Sequence, residues 1–124
     1  MDQSIKRRWV RALRSGKYQQ GKDFLRREGK KEDLFCCLGV LCDLYEKEKE
    51  LNGWRSNEIF NGREVIKSYL GVGNVLPEHV KEWSGLSSVD GGFVKFGAYP
   101  EGLATLNDRG IPFDALADLI EEQL

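Results

Sequence analysis

The sequence feature that most constrains the fold is an unbroken apolar run from Leu34 to Cys42, in a chain of which 31% is charged. The run is too short to cross a bilayer, which takes about 20 apolar residues. It continues into an alternation of Glu and Lys from Glu46 to Glu50. This change from apolar to charged is typical of a helix whose first half is buried and whose second half emerges into water. We therefore predict a helix over residues 34–50 at the centre of the fold.

Gly39 lies inside this predicted helix, where glycine costs about 1 kcal/mol relative to alanine. Together with Cys36 and Val40 it forms a stretch of small side chains. We expect another segment of backbone to pack closely there. Gly53 stands at a plausible C′ position and predicts the end of the element.

The length of 124 residues fits one globular domain over residues 1–124, large enough to bury a core without a disulfide or a metal. The sequence shows neither a signal peptide nor a membrane span, which predicts a soluble, cytoplasmic protein. Its three cysteines are an odd number crowded into seven positions. That pattern does not indicate a framework of secreted-type disulfides.

The formal net charge of −1 conceals a strong asymmetry along the chain. Residues 1–31 hold 11 basic and 3 acidic residues, a net charge of +8, whereas the remainder holds 8 basic and 17 acidic residues, a net charge of −9. A basic segment of this density indicates contact with phosphate or pairing with the chain's own acidic part. Such two-sided charge also permits self-association into a homo-oligomer.

The N-terminal third reads as one helix followed by an irregular loop. Apolar residues at helical spacing predict a helix from about Ile5 to Arg14, with Ser4 as its N-cap. Residues 17–27 show no helical period, and we expect a loop that leads into a short strand at Phe24 to Arg26. A turn over residues 28–31 then leads to the buried helix.

The remaining segments predict short helices and antiparallel strands. Asn61-Gly62-Arg63 between two apolar stretches, residues 58–60 and 64–66, is a strong hairpin signal. The later predictions are a loop at 70–74, a short helix opened by Pro77 and stopped by Gly85, a turn at 90–92, a strand at 93–96, and two C-terminal helices separated by Gly110, the second opened by Pro112. The fold class is therefore α+β, a compact single domain of four to five helices around the central buried helix, with a small antiparallel sheet.

Several stretches resemble a known family. They are Trp9 with Ala12 to Gly16, Phe35 to Asp43 with its Cys-Cys-Leu-Gly-Val-Leu-Cys core, Leu76-Pro77, Trp83 to Leu86 and Leu106 to Asp108. This pattern resembles a family of small proteins encoded by tailed bacteriophages and prophages. The resemblance implies a viral protein that acts in the host cytoplasm, and by association it favours interference with host defence. It implies no catalytic residues.

Catalysis and metal binding have weak signals. Cys36 or Cys37 near a helix N-terminus, with His79 downstream, would be the pair in a small cysteine-dependent enzyme. Small cysteines in an apolar run are usually core residues, so we leave the question of enzymatic activity open and expect binding rather than catalysis.

The cysteine spacing does not fit a zinc site, and we predict neither a metal nor a cofactor. The C-terminal helix pair has the appearance of a helix-turn-helix, but its second helix ends in acidic residues, which favours packing.

The basic loop is the strongest candidate for a binding site. It combines cations, a flexible backbone, amides and one aromatic ring, the groups that nucleotide and single-stranded nucleic acid sites use. The candidate ligand-binding residues are Arg14, Lys17, Tyr18, Gln20, Lys22 and Arg26. The alternative is a solvated face that pairs with the acidic helix tail at Glu46, Glu48 and Glu50.

These observations lead to one main hypothesis and two alternatives. The main hypothesis is a non-enzymatic phage protein that binds through the surface of the first helix and the loop over residues 14–27. It would counter host defence either by sequestering a nucleotide signal or by blocking a host factor such as a nucleic acid or an acidic host protein. The alternatives are the cysteine-dependent enzyme and a structural or assembly protein of the virion.

Overall fold

A computed structural model gives the fold of residues 1–59 and 64–124. The described residues form five helices and seven strands. In chain order these are α1 (Gln3–Arg14), β1 (Gln19–Gln20), β2 (Arg26–Arg27), β3 (Leu34–Phe35), α2 (Cys37–Lys49), β4 (Trp54–Ile59), β5 (Glu64–Tyr69), α3 (Glu78–Ser84), β6 (Phe93–Phe96), β7 (Tyr99–Gly102), α4 (Leu103–Asp108) and α5 (Phe113–Gln123). This arrangement confirms the predicted α+β class. No helix among the described residues is long and apolar enough to cross a membrane.

Helix α2 is the centre of the core, as predicted. Six consecutive residues from Cys37 to Cys42 are buried, and α1, α3, α4 and β3 all pack against the helix. Gly39 makes the closest approach, because a Cβ built on it would lie 1.7 Å from the carbonyl oxygen of Leu25. The predicted close packing at Gly39 is thus against the backbone of the segment that precedes β2.

The predicted helix over residues 34–50 was wrong at its start and correct to within one residue at its end. Leu34 and Phe35 form β3, and Cys36 is the N-cap, with its Sγ accepting the N–H of Gly39 at 3.4 Å. An unbroken apolar run has no period that distinguishes a buried strand from a buried helix. The sequence therefore did not indicate where β3 ends and α2 begins. At the other end α2 stops at Lys49, one residue before the predicted bound. Its C-cap is Glu50, which adopts the left-handed conformation (φ 52°), so Gly53 is not the C′ residue.

Helix α1 begins two residues before the predicted start. Its N-cap is Asp2, whose Oδ1 accepts the N–H of Ile5 at 2.8 Å, and not Ser4. The indole Nε1 of buried Trp9 donates to the carbonyl oxygen of Cys37 at 2.9 Å, which fixes α1 against the start of α2. Helix α5 packs along the other side of α1.

The strands form two sheets rather than one. The larger has the order β1-β3-β2-β5-β4, in which only β1 and β3 are parallel, and the smaller is the antiparallel pair β6-β7. The predicted antiparallel pairing of the two stretches around residue 62 is confirmed by β4 and β5, which end in the pair Ile59 and Glu64. The Asn-Gly turn itself lies outside the described residues.

Several shorter predictions were close. The strand expected at Phe24 to Arg26 is Arg26–Arg27, and the loop expected over residues 17–27 also contains β1. Pro77 is the N-cap of α3 rather than its first residue, and Gly85 ends that helix with a φ of 73°. The strand at 93–96 and the two C-terminal helices are confirmed.

A series of aromatic rings connects the elements that surround α2. Neighbouring rings in the series have centroids between 4.7 and 6.3 Å apart. In order they belong to Tyr18, Phe35, Trp54, Tyr69, Tyr45 and Trp83. Asp43 of α2 accepts hydrogen bonds from Tyr18 and Trp54, and Glu46 of α2 accepts one from Tyr69. The two carboxylates thus have hydrogen-bond donors where the aromatic rings cover the helix.

Candidate functional site

The most distinctive surface of the molecule is the outer face of α1. Ile5, Trp9 and Leu13 recur every four residues and are buried, which turns the remaining faces of the helix outward. Arg7 and Arg11, also four residues apart, are exposed. No acidic residue occurs within α1, so its outer face carries only positive charge.

We call this surface the basic ridge and define it by six cations. They are Arg7, Arg8, Arg11, Arg14 and Lys17, with Lys47 contributed by α2. A groove runs along each side of the ridge, and both grooves are open to solvent. Arg11 and Ser15 line both grooves, so the two grooves adjoin at these two residues.

The first groove lies between α1 and α5 and has a volume of about 500 Å³. It is lined by Arg7, Val10, Arg11, Arg14, Ser15 and Glu121. The second groove lies between the end of α1 and α2 and has a volume of about 250 Å³. It is lined by Arg8, Arg11, Ala12, Ser15, Lys17, Tyr18, Leu44 and Lys47. The second groove thus combines cations with two apolar side chains, Ala12 and Leu44. The first combines arginines with one apolar side chain, Val10, and with the carboxylate of Glu121.

Three of the six cations are held by carboxylates. Arg14 contacts Asp118 at 2.6 Å and Glu121 at 3.0 Å, and these hydrogen bonds raise the pKa of the guanidinium. The guanidinium of Arg8 contacts Glu48 at 2.8 Å. Lys47 lies 3.3 Å from the carboxylate of Asp43.

The other three cations, Arg7, Arg11 and Lys17, are exposed and form no ion pair with any side chain in the ranges 1–57 and 64–124. Arg7 lines the first groove, Lys17 lines the second, and Arg11 lies between them. An anion that enters either groove therefore meets cations that need not give up an internal partner. The surface of this helix was predicted to bind, but Arg7 and Arg11 were absent from the candidate residues, although their spacing of four residues in a helix without acids was a usable signal.

A family model described as a domain of unknown function, DUF8296, matches residues 1–124. The chain belongs to the DUF8296 family. No curated protein and no solved structure matches it.

Of the candidate residues chosen from the sequence of this DUF8296 chain, Arg14, Lys17 and Tyr18 lie at the ridge. The Tyr18 hydroxyl donates to Asp43 at 2.6 Å and accepts from Lys47 at 3.0 Å. Its ring packs edge-on against Phe35. Burial, and after it the hydrogen bond to Asp43, raises the pKa of Tyr18, so the phenol stays protonated well above neutral pH. The structure thus holds the Tyr18 ring rigidly at the wall of the second groove.

Gln20 lies away from the ridge, and its side-chain amide is fully engaged within the fold. Its Nε2 donates to Asn107 Oδ1 at 3.0 Å and to the carbonyl oxygen of Ile111 at 2.8 Å, while its Oε1 accepts the N–H of Phe113. Asn107, which is completely buried, also accepts the N–H of Cys37 and donates to Gly21. These amides fasten β1 to the C-terminal helices.

Lys22 and Arg26 also lie outside the grooves. Lys22 is exposed. Arg26 contacts Asp33 at 2.8 Å and stacks over the rings of Phe35 and Trp54. Although burial acts in the opposite direction, hydrogen bonds from Lys67 and Arg26 lower the pKa of Asp33. Arg26 is therefore part of a partly buried ionic cluster.

The pairing proposed between the basic segment and the acidic helix tail occurs only at Glu48, which binds Arg8. Glu46 accepts instead the N–H groups of Asn52 and Gly53 and the Tyr69 hydroxyl. The carboxylates that meet Arg14 and Arg26 come from α5 and from Asp33. The tail of α2 is thus a minor partner of the basic segment.

The three cysteines are buried and free. Burial raises the pKa of the Cys36 thiol to about 11 and that of Cys37 and Cys42 well above the ordinary value. His79 lies exposed on α3, so it does not share the core with these thiols. Buried thiols in apolar surroundings are inert, and this geometry gives no support to a cysteine nucleophile. Within the described residues no three His, Cys, Asp or Glu side chains form a potential metal site.

Proposed function

We propose that this DUF8296 protein acts by binding rather than by catalysis, and that the basic ridge engages a partner that carries phosphate. The observation that supports it best is the set of three exposed cations, Arg7, Arg11 and Lys17, that have no ion-pair partner among the described residues and line two adjoining grooves. Unpaired cations beside apolar side chains, Val10 in the first groove and Ala12 and Leu44 in the second, favour an anionic ligand that also has apolar surface, such as a nucleotide or a nucleic acid.

The resemblance to phage proteins supports a second part of the proposal, namely that this binding takes place in the cytoplasm of a phage host. A phage protein that binds phosphate in the host cytoplasm would counter host defence, either by sequestering a nucleotide signal or by covering a nucleic acid or another host factor. The virion-assembly alternative stays a prediction.

A thermal-shift screen tests the proposal. The purified protein is heated with linear and cyclic nucleotides, heparin and short oligonucleotides, at several salt concentrations. Any ligand that binds only the folded protein raises its melting temperature, by an amount that grows with ligand concentration. We expect stabilisation that weakens as salt is added, because the contacts are ionic.

The decisive comparison uses two double variants that remove the same charge. Arg7→Ala with Arg11→Ala removes two unpaired cations from the ridge, whereas Lys30→Ala with Lys31→Ala removes two exposed cations from the loop before β3. We expect the ridge variant to melt with the parent when no ligand is present and to lose most of the ligand response. The loop variant should keep that response. Equal responses from both variants, or no response to any phosphate compound, would refute the proposal.

A further inference from the structure

The ridge has the shape of a strip rather than a pocket. Arg7 and Arg11 are one helical turn apart, about 6 Å along the axis, and residues 7–15 extend about 12 Å. The two grooves adjoin at Arg11 and Ser15, so cations continue from the side of α5 to the side of α2. Within a duplex each strand carries one charge per about 3.4 Å of helix axis, and an unpaired strand can extend further between charges. More than one successive phosphate of a single strand therefore fits along the strip.

Neither groove has the features of a site for a single small nucleotide. Such sites enclose most of the ligand and present a few fixed polar groups that select it. Among the described residues, the only buried side-chain nitrogen or oxygen atom without a partner is Nε of Arg27, which lies on β2 and lines neither groove. The ridge thus offers charge along its length but no free buried group to read a base edge.

An aromatic ring lies beside the cations in the second groove. Tyr18 is held there by its hydroxyl and by its contact with Phe35, and Lys47 Nζ lies 5.3 Å from the centroid of its ring. Sites for single-stranded nucleic acid combine a basic groove with aromatic rings on which bases stack, independently of sequence. In a duplex the bases are already stacked on one another, so a duplex would leave Tyr18 unused.

We infer that the basic ridge takes a single-stranded nucleic acid, with phosphates against Arg7, Arg11 and Lys17 and a base against Tyr18. This inference rests on the proposed function and specifies its ligand. Binding is non-specific in sequence and depends strongly on salt.

The test is fluorescence anisotropy with a labelled oligothymidylate of about 12 nucleotides, long enough for one site of this kind. Affinity is measured at several salt concentrations, with the corresponding duplex, a mononucleotide and polyglutamate as competitors. For single strands the slope of log affinity against log salt is about −0.7 per phosphate contact. We expect Arg11→Ala to make that slope shallower by about 0.7, while Lys30→Ala leaves it unchanged.

Two substitutions separate stacking from charge. Tyr18→Leu should weaken binding about fivefold or more and leave the salt slope unchanged, because it removes a ring but no cation. Tyr18→Phe keeps the ring and should bind within about twofold of the parent. Loss of binding in both variants would show that the hydroxyl network matters rather than stacking, and would overturn the role given to the ring.

The competition experiment has three further outcomes, and each of them contradicts the inference. If the duplex or polyglutamate competes as well as the single strand, the inference of a single-stranded ligand is wrong. If no polynucleotide binds but a mononucleotide gives a shift that requires Arg7 and Arg11, the inference fails and the proposed function stands. If nothing carrying phosphate binds through the ridge, both fail.

Discussion

Gly39 is the glycine at which an added Cβ would make the shortest contact among the glycines that the structure describes. A Cβ at this position would lie 1.7 Å from the Leu25 carbonyl oxygen and 2.6 Å from the Leu25 carbonyl carbon. Both atoms belong to backbone, and the Leu25 segment is also fixed by hydrogen bonds to Gly73 and Cys36. The contact therefore has no flexible side chain that could move aside.

We expect Gly39→Ala to destabilise the protein by about 3 kcal/mol or more, at the upper end of the cost of overpacking a core. Urea unfolding of the purified variant measures the change. Gly73→Ala is the control, since Gly73 has an ordinary φ and an added Cβ meets nothing within 4 Å. An equal stability of the two variants would mean that α2 does not approach Leu25 as closely as described.

At the scale of single residues the sequence indicated some residues of the candidate site but not its geometry. Arg14, Lys17 and Tyr18 were selected and do lie at the ridge, whereas Gln20 and Arg26 are held by Asn107 and Asp33. Whether a cation is free depends on carboxylates that are distant in sequence, such as those of α5. No local pattern contains that information.

At the scale of elements, the β6-β7 hairpin shows how the exposed edges of two strands are kept from pairing with other strands. Gly97, with a φ of 75°, and Ala98 connect β6 to β7. The side-chain amide of Gln123 accepts the N–H of Lys95 at 2.6 Å and donates to its carbonyl oxygen at 3.0 Å. Pro100, opposite Lys95 on β7, has no N–H to offer. Both edges are thus blocked against pairing with another strand, although Phe93 and Tyr99 are exposed.

We expect Gln123→Ala to destabilise the protein by about 1 kcal/mol, because it removes two hydrogen bonds at an exposed site. Amide hydrogen exchange at Lys95 should become faster, while exchange in α2 changes only with global stability. Glu122→Ala, on the exposed face of the same helix, serves as the matched control. Unchanged exchange at Lys95 would show that the Gln123 amide does not protect this edge.

Helices were easier to predict than strands for a physical reason. Helices α1, α4 and α5 carry their own periodicity and stop signals, so their sequences alone predict them. Strands β1, β2 and β3 have two residues each and exist only because distant segments pair with them. Such short strands have no alternation to detect, and Leu34-Phe35 was consequently assigned to the helix that follows it.

At the scale of the whole molecule, the buried thiols couple stability to alkaline pH. An unfolded cysteine has a pKa of about 8.5, whereas the pKa of Cys36 in the folded state is about 11. Between these values the unfolded state releases a proton that the folded state keeps. The free energy of unfolding must therefore be highest below about pH 8.5 and fall as pH rises toward 11. Cys37, Cys42 and Tyr18 are shifted in the same direction.

We expect Cys36→Ser to reduce this alkaline loss by about 1–2 kcal/mol at pH 10, because it removes one titrating group. Serine at the N-cap can accept the Gly39 N–H as Cys36 Sγ does, so the variant should fold. Urea unfolding of parent and variant at about pH 7.5 and pH 10 gives the comparison. Parallel losses in the two proteins would show that the Cys36 thiol is not the group that responds.

Trp83 lies where its fluorescence should respond to changes in the second groove. The Arg8 guanidinium, which lines the second groove, lies 5.7 Å from the Trp83 ring centroid, and the indole donates to Glu48, the carboxylate that holds Arg8. A ligand in the second groove that draws Arg8 away from Glu48 alters the charge beside this indole and hence its emission. Trp9, sealed in the core, and Trp54, whose indole donates to Asp43, emit as well. We therefore expect occupancy of the second groove by the proposed ligand to change the intrinsic fluorescence of the protein, without a dye or a tag.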